Sequence, residues 1–248
     1  MKEFLYAQGT TDPLSLHDLY RVFNNYRVWK NIIGLLMMLG KTRLPEYKIL
    51  EPGCAGGDRL RFFTNLRVRP ENCFGFDISE KAIGICKSLS PVSMNFQVGS
   101  ILDIPHEDNK FDIIFCSNVL GCFNADNDVV KISRELRRVI KKDGVLLIID
   151  MNELYFQYYK DSKVVMDKEL RCFDTSKSEL EGLLTGEFTQ FRRVNVFRGE
   201  LYVMQDGSYA DINHLPLIDN GIDQGTVPCV YTLYAFVTND VCSLVTNK

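Results

Sequence analysis

The stretch ILEPGCAGGDRL, residues 49–60, decides how this chain is read. A short apolar run suited to a buried strand passes directly into Gly53, Cys54, Ala55, Gly56 and Gly57, and a helical pattern opens at Asp58. Glycines at a strand-to-helix turn let main chain approach a ligand closely, and ligands in open α/β sheets sit at that carboxyl edge of the strands. The spacing is GxxGG. The GxGxxG of dinucleotide folds is therefore missing, and no GK[ST] follows to make a phosphate-binding loop.

On either side of the turn the chain keeps one rhythm. A helical pattern starts after Asp12-Pro13, with Ser15 and Asp18 spaced as a capping box and Leu16, Leu19, Tyr20 and Phe23 on one stripe; it runs to Leu39, where Gly40 stops it. Strands are expected at 48–51, 73–77, 94–98, 111–116 and 145–150, and helices at 58–66, 79–89 and 126–140. Alternation of this kind predicts an α/β fold, a Rossmann-like doubly wound sheet that is mostly parallel, preceded by N-terminal helices. Beyond Asp150 the pattern changes. Thr175 or Ser176 caps a short helix through Leu184, and two segments of period two, 188–197 and 227–237, predict an antiparallel strand pair at the C-terminal edge. The organisation expected is an N-terminal helical segment, 1–45, and one domain, 46–248, with lid insertions at about 151–186 and 198–226.

Composition narrows the function classes. At 46% hydrophobic and 25% charged residues the chain is an ordinary globular one. A net charge of -3 and a pI near 5.7 argue against a phosphate backbone as partner. The densest basic run, Arg134, Arg137, Arg138, Lys141 and Lys142, interleaves with Ile132, Leu136, Val139 and Ile140 at helical spacing and reads as a solvated helix face. Eight cysteines include no CxxC pair, so no metal site is expected. Cysteines within apolar runs suit a reducing cytoplasm. Neither a signal peptide nor a run approaching the ~20 apolar residues of a membrane span is expected.

The ligand follows from two acids. Asp77 ends the FGFD strand roughly 20 residues past the glycines, where an acid accepts hydrogen bonds from ribose hydroxyls, although the same residue also suits a helix cap. Glu51 precedes the glycines, where a dinucleotide would place its pyrophosphate, and it repels that group. A ribosylated cation without phosphate, S-adenosylmethionine, resolves the conflict. In order, EPGCAGG, FGFD, GSILDIP and KFDIIF resemble the motifs of class I S-adenosylmethionine-dependent methyltransferases over about residues 48–150, with KDGVLLIID similar to that family's fifth strand. The resemblance implies that the Glu51–Gly57 turn, with Gly53, Cys54, Ala55, Gly56 and Gly57, contacts the amino-acid moiety. Asp77, with Ile78 beside it, holds the ribose. Ser100, Ile101 and Leu102 flank the adenine, and Cys116, Ser117 and Asn118 close the site. Ser100 departs from the acidic residue frequent there. Asp103 and Asp112 are expected to organise loops.

Methyl transfer to a hydroxyl calls for a base within reach of the acceptor. Asp150 and Glu153, past the fifth strand, and His214, in the second insertion, are the candidates. CSNVLGCF after the fourth strand is not NPPY-like, which together with the acidic pI favours a small molecule or glycan over nucleic acid. Tyr155, Phe156, Tyr158 and Tyr159 are candidate walls of an acceptor pocket. A cofactor-binding partner without activity is the competing reading, and the intact turn and ribose acid weigh against it.

Overall fold

Buried apolar runs and amphipathic stretches take up the expected alternation in the computed structural model, which describes residues 16–155, 170–196, 229 and 231–239. Ser15, His214, the 198–226 insertion, Cys242 and the aromatics Phe156, Tyr158 and Tyr159 lie outside the described residues. Helix α1 (Leu16–Met38) ends at Gly40, whose φ of +69° lets the Lys41 amide turn back to the Leu36 carbonyl at 2.8 Å. After it come β1 (Ile49–Pro52), α2 (Asp58–Asn65), β2 (Cys73–Asp77), α3 (Glu80–Leu89), β3 (Asn95–Val98) and β4 (Phe111–Ser117). Then follow α4 (Asp126–Val139), β5 (Ile140–Met151), α5 (Glu179–Leu184), β6 (Phe188–Val196) and β7 (Tyr231–Thr238).

The seven strands form one sheet in the order β3-β2-β1-β4-β5-β7-β6. β1 to β5 pair in parallel, with Ile49 opposite both Cys73 and Ile113, while β7 runs antiparallel between β5 and β6 with Asp150 opposite Thr232. The order reverses between β1 and β4, which opens a crevice at their carboxyl ends.

Each face of the sheet carries a separate core. On one face α1, α2 and α3 bury Trp29, Ile32, Leu60, Phe63 and Ile83 against Ile49, Phe115 and Leu147; on the other α4 and α5 bury Ile132, Leu136, Leu180 and Leu184 against Leu50, Ile114 and Ile148. Trp29 anchors α1, stacking on Phe62 at 4.0 Å and meeting Phe63 edge-on at 5.0 Å, pairs that add about 1 kcal/mol each beyond area burial. α1 thus shares the first core with the sheet. α2 lies so close to β2 that a Cβ on Gly75 would stand 2.8 Å from Leu60 Cδ1 and 3.0 Å from Cys54 Cβ, which fixes the start of α2 beside the glycine turn.

Some boundaries differ from expectation. β5 starts at Ile140, five residues early, because α4 runs straight into it and Phe111 pairs with Ile140. The bend that follows requires Gly144, whose Cβ would fall 2.4 Å from Ile140 Cγ1. α5 starts at Glu179, because the Asp174 carboxylate ties the amides of Ser176 and Lys177 into a turn. Within the first expected insertion, Phe173, Leu180 and Leu184 are buried in the second core.

Candidate functional site

Four strand ends meet at the crevice. After β1 the chain turns through Gly53 (φ +63°), Ala55 (φ +51°) and Gly57 (φ +79°). A left-handed alanine is strained by roughly 1–2 kcal/mol. The Ala55 amide is held by a 3.0 Å bond to Asp77 Oδ2, and the Cys54 amide by one of 3.0 Å to the Phe76 carbonyl. A Cβ on Gly53 would lie 2.6 Å from Val119 Cγ2, so the turn also touches the loop after β4. The Gly99 amide donates to the Asp77 carbonyl at 3.0 Å, bringing Ser100 to the end of β2. Asn118, at φ +55°, closes the β4 side with its amide on the Ile149 carbonyl.

Asp77 is oriented rather than consumed. Its Oδ2 accepts from Ala55 and its Oδ1 from the Ser79 amide at 2.9 Å. Each oxygen of a carboxylate accepts two hydrogen bonds, so one position on each is left for ribose hydroxyls. The helix cap itself is Ser79, whose hydroxyl accepts from Ala82, and the capping alternative for Asp77 gives way to this bridging role.

Glu51 is in the opposite condition. It is 1% exposed, and neither carboxylate oxygen has a hydrogen-bond partner; Arg59 Nη1 stands 3.7 Å from Oε1. Burial pushes the carboxyl up to about 8, against the pull of Arg59, the Leu60 amide and Arg61. Asp58 adds to the upward push. A buried carboxylate without partners is costly, and an arriving cation relieves that cost. Asn118 Oδ1 is a second buried acceptor without a partner. Two orphaned acceptors beside a glycine turn suit an ammonium, and the poised Asp77 suits a ribose, so the residues present fit S-adenosylmethionine.

The other expected contacts divide into main-chain and side-chain positions. Gly56 and Leu102 are half-buried and Ile78 is 53% exposed, whereas Cys54 and Ile101 turn their side chains into the two cores and Ser117 is buried. The Ser100 hydroxyl accepts from the Leu102 amide at 3.2 Å. Cys54 and Cys86 are a buried thiol pair, 3.9 Å between sulfurs, and the Cys86 thiol donates to the Ala55 carbonyl, bracing the turn from behind. Asp112 organises a loop as expected, accepting from the Lys48 amide and from Lys141.

Of the three candidate bases, two are described. Asp150 is fully buried: Oδ2 accepts from the Gly121 amide at 3.0 Å and Oδ1 from the Met151 amide at 3.1 Å. Burial pushes its pKa up to about 7 against those backbone bonds. The loop after β4 is fitted to it, since a Cβ on Gly121 would come within 2.7 Å of Asp150 Oδ1. Glu153 is exposed, with Oε2 on the Thr175 amide at 2.9 Å and Oε1 on the Thr175 hydroxyl at 2.8 Å. Burial raises its pKa, but the Thr175 hydrogen bonds outweigh this and leave the carboxyl below its ordinary value. Asp150 is thus closed off under the loop after β4, while Glu153 braces Thr175 and stays exposed. Arg59 was not legible as a site residue, because nothing in the sequence separates it from Arg61 two positions on.

Known proteins share this framework. Residues 44–198, more than half of the chain, match a family described as a methyltransferase domain. The probable methyltransferase ltbC of Aspergillus luteorubrus is 32% identical over 118 residues, 44% of this chain and 41% of that protein. A tRNA U34 carboxymethyltransferase of Campylobacter lari is 28% identical over 129 residues, 50% of this chain and 42% of that protein. The chain spans less than half the length of both. Magnesium protoporphyrin IX methyltransferase from Synechocystis PCC 6803, crystallised with S-adenosylhomocysteine, superposes with a TM-score of 0.57 over 87% of this chain and 84% of its own. At 13% identity that likeness speaks for the fold. The family match runs from β1 through β6 and takes in the glycine turn and the strand ends around it, and on that ground this chain belongs to the methyltransferase-domain family, with S-adenosylmethionine as cofactor.

Proposed function

We propose that this chain transfers the methyl group of S-adenosylmethionine to a hydroxyl oxygen of a small molecule or glycan. One observation carries the cofactor half of this reading: Asp77, oriented by two amides, stands at the same crevice as the orphaned carboxylate of Glu51. When bound, the cofactor supplies a sulfonium methyl open to in-line attack. The chain's own part is to hold and align. Glu51 and Asn118 take the ammonium, Asp77 the ribose, and the 100–102 turn the adenine. Asp150, through the Gly121 amide, keeps the acceptor-side loop in register. Asp150 is buried away from an acceptor, and the Thr175 bonds hold the Glu153 carboxyl below its ordinary value, which makes it a weak base; His214 is the group we assign to deprotonating the acceptor.

The acceptor class is supported by what happens to the basic residues. Arg138 is spent on Glu135, Asp108 and the carbonyls of Ile104 and His106, and Lys141 on Asp112. This ties up two cations of the densest basic run, and the net charge of -3 likewise disfavours a polyanion. The Campylobacter relative's name favours a second reading, a tRNA acceptor, and one experiment separates the two. The protein is incubated with methyl-labelled S-adenosylmethionine and either a small-metabolite fraction or total tRNA. Label in the first fraction supports the proposal. Label in tRNA alone overturns the acceptor class, and no transfer to either fraction overturns the activity.

A further inference from the structure

We infer that Arg59 receives the carboxylate of the cofactor's amino-acid end, so that Glu51 and Arg59 together form a clamp for a zwitterion. The inference rests on S-adenosylmethionine being the ligand. α2 carries two arginines near its start, and they are used differently. Arg61 is tied to its surroundings: Nη1 donates to the Gly56 carbonyl at 2.8 Å and to the Ser90 hydroxyl at 3.0 Å, and Nη2 pairs with Asp58. Arg59 makes no hydrogen bond among the described residues. Its one ion pair there is the 3.7 Å approach to Glu51, too long for a hydrogen bond, with its own side chain 25% exposed and that of Glu51 1%. The Cys116 thiol at the end of β4, raised chiefly by burial, also feels the charges of Glu51 and Arg59. The guanidinium therefore stands beside the orphaned carboxylate at the end of β1.

An α-amino acid brings three N–H donors on its ammonium and two acceptor oxygens on its carboxylate. Glu51 and Asn118 Oδ1 supply acceptors without partners; of the two α2 arginines, Arg61 is held in place by three bonds, whereas Arg59 reaches toward Glu51 with no hydrogen bond among the described residues. A loose pair that leaves both members short of hydrogen bonds gains on both sides when the zwitterion arrives in the complementary sense. Charge-assisted bonds are stronger than neutral ones, and Arg geometry matches a carboxylate.

The test is calorimetry on the full chain with three ligands: S-adenosylhomocysteine, its decarboxylated analogue, which keeps the ammonium, and 5′-methylthioadenosine, which lacks the amino-acid end. Arg59→Gln is expected to weaken S-adenosylhomocysteine by roughly tenfold to a hundredfold and to leave the other two within about twofold, with Arg59→Lys recovering part of the loss. Equal weakening of all three ligands overturns the inference, because the turn has then collapsed. Loss shared by the decarboxylated analogue overturns it too, since Arg59 then acts only through the charge of Glu51. No change in any ligand is likewise fatal. If the unaltered chain binds neither S-adenosylhomocysteine nor 5′-methylthioadenosine, the cofactor reading itself fails and takes the inference with it.

Discussion

Replacing Glu51 with Gln separates stability from ligand binding. The carboxyl titrates near its ordinary 4.5 in the unfolded chain and at about 8 in the fold, where it is buried without a hydrogen bond. The folded state therefore holds this proton more tightly, and stability must fall as pH rises from about 4.5 toward 8. Each pH unit in that window costs about 1.4 kcal/mol, so between pH 5 and pH 9 the wild type loses on the order of 4 kcal/mol through this group alone. Gln cannot titrate, and Asp150 titrates in both proteins and cancels. Urea unfolding followed by circular dichroism at pH 5, 7 and 9 should show Glu51→Gln gaining on the wild type by that amount as pH rises, while its affinity for S-adenosylhomocysteine falls. Parallel pH curves for the two proteins would refute the reasoning, because they would mean that the carboxylate finds partners or water in the fold.

Three further substitutions probe the crevice. Gly53→Ala places a Cβ at φ +63° and 2.6 Å from Val119 Cγ2, and is expected to cost about 2 kcal/mol in thermal unfolding and to abolish the thermal shift given by S-adenosylhomocysteine. Asp77→Asn sets an NH2 group against the amide of Ala55 or Ser79, so S-adenosylhomocysteine and 5′-methylthioadenosine should both weaken by roughly tenfold or more in calorimetry. Asp150→Asn leaves the amide of Gly121 or Met151 without an acceptor. It should lose about 2 kcal/mol by urea unfolding and lower kcat, with cofactor affinity preserved.

The fold was legible because its signals are local. Glycines between a strand and a helix, and buried runs such as VLLII, depend on nearest neighbours and on the period of the pattern, and they yielded the parallel pairing and the antiparallel edge pair. The acids of the turn were legible for a related reason: Glu51 and Asp77 lie at strand ends, whose direction the pattern fixes. What escaped depends on pairs remote in sequence. Asp150 lies at the end of a strand just as Asp77 does. One sits at the half-exposed edge between two loops, and the other faces the Gly121 amide under a packed loop, and only the three-dimensional packing of residues 120–121 against Arg171 tells them apart. Glu153 gives its oxygens to Thr175, 22 residues away, a partner no periodicity announces. The early start of β5 is of the same kind, since Ile140 continues the apolar stripe of α4 and becomes strand by pairing with Phe111.

Parallel calorimetric titration of the purified chain with S-adenosylhomocysteine, ATP and NAD asks whether an unpaired Glu51 beside an oriented Asp77 selects an adenosyl ligand bearing an ammonium over phosphorylated nucleotides. Saturable binding of S-adenosylhomocysteine and none of the other two is expected. Binding of ATP or NAD as tight as that of S-adenosylhomocysteine would contradict it.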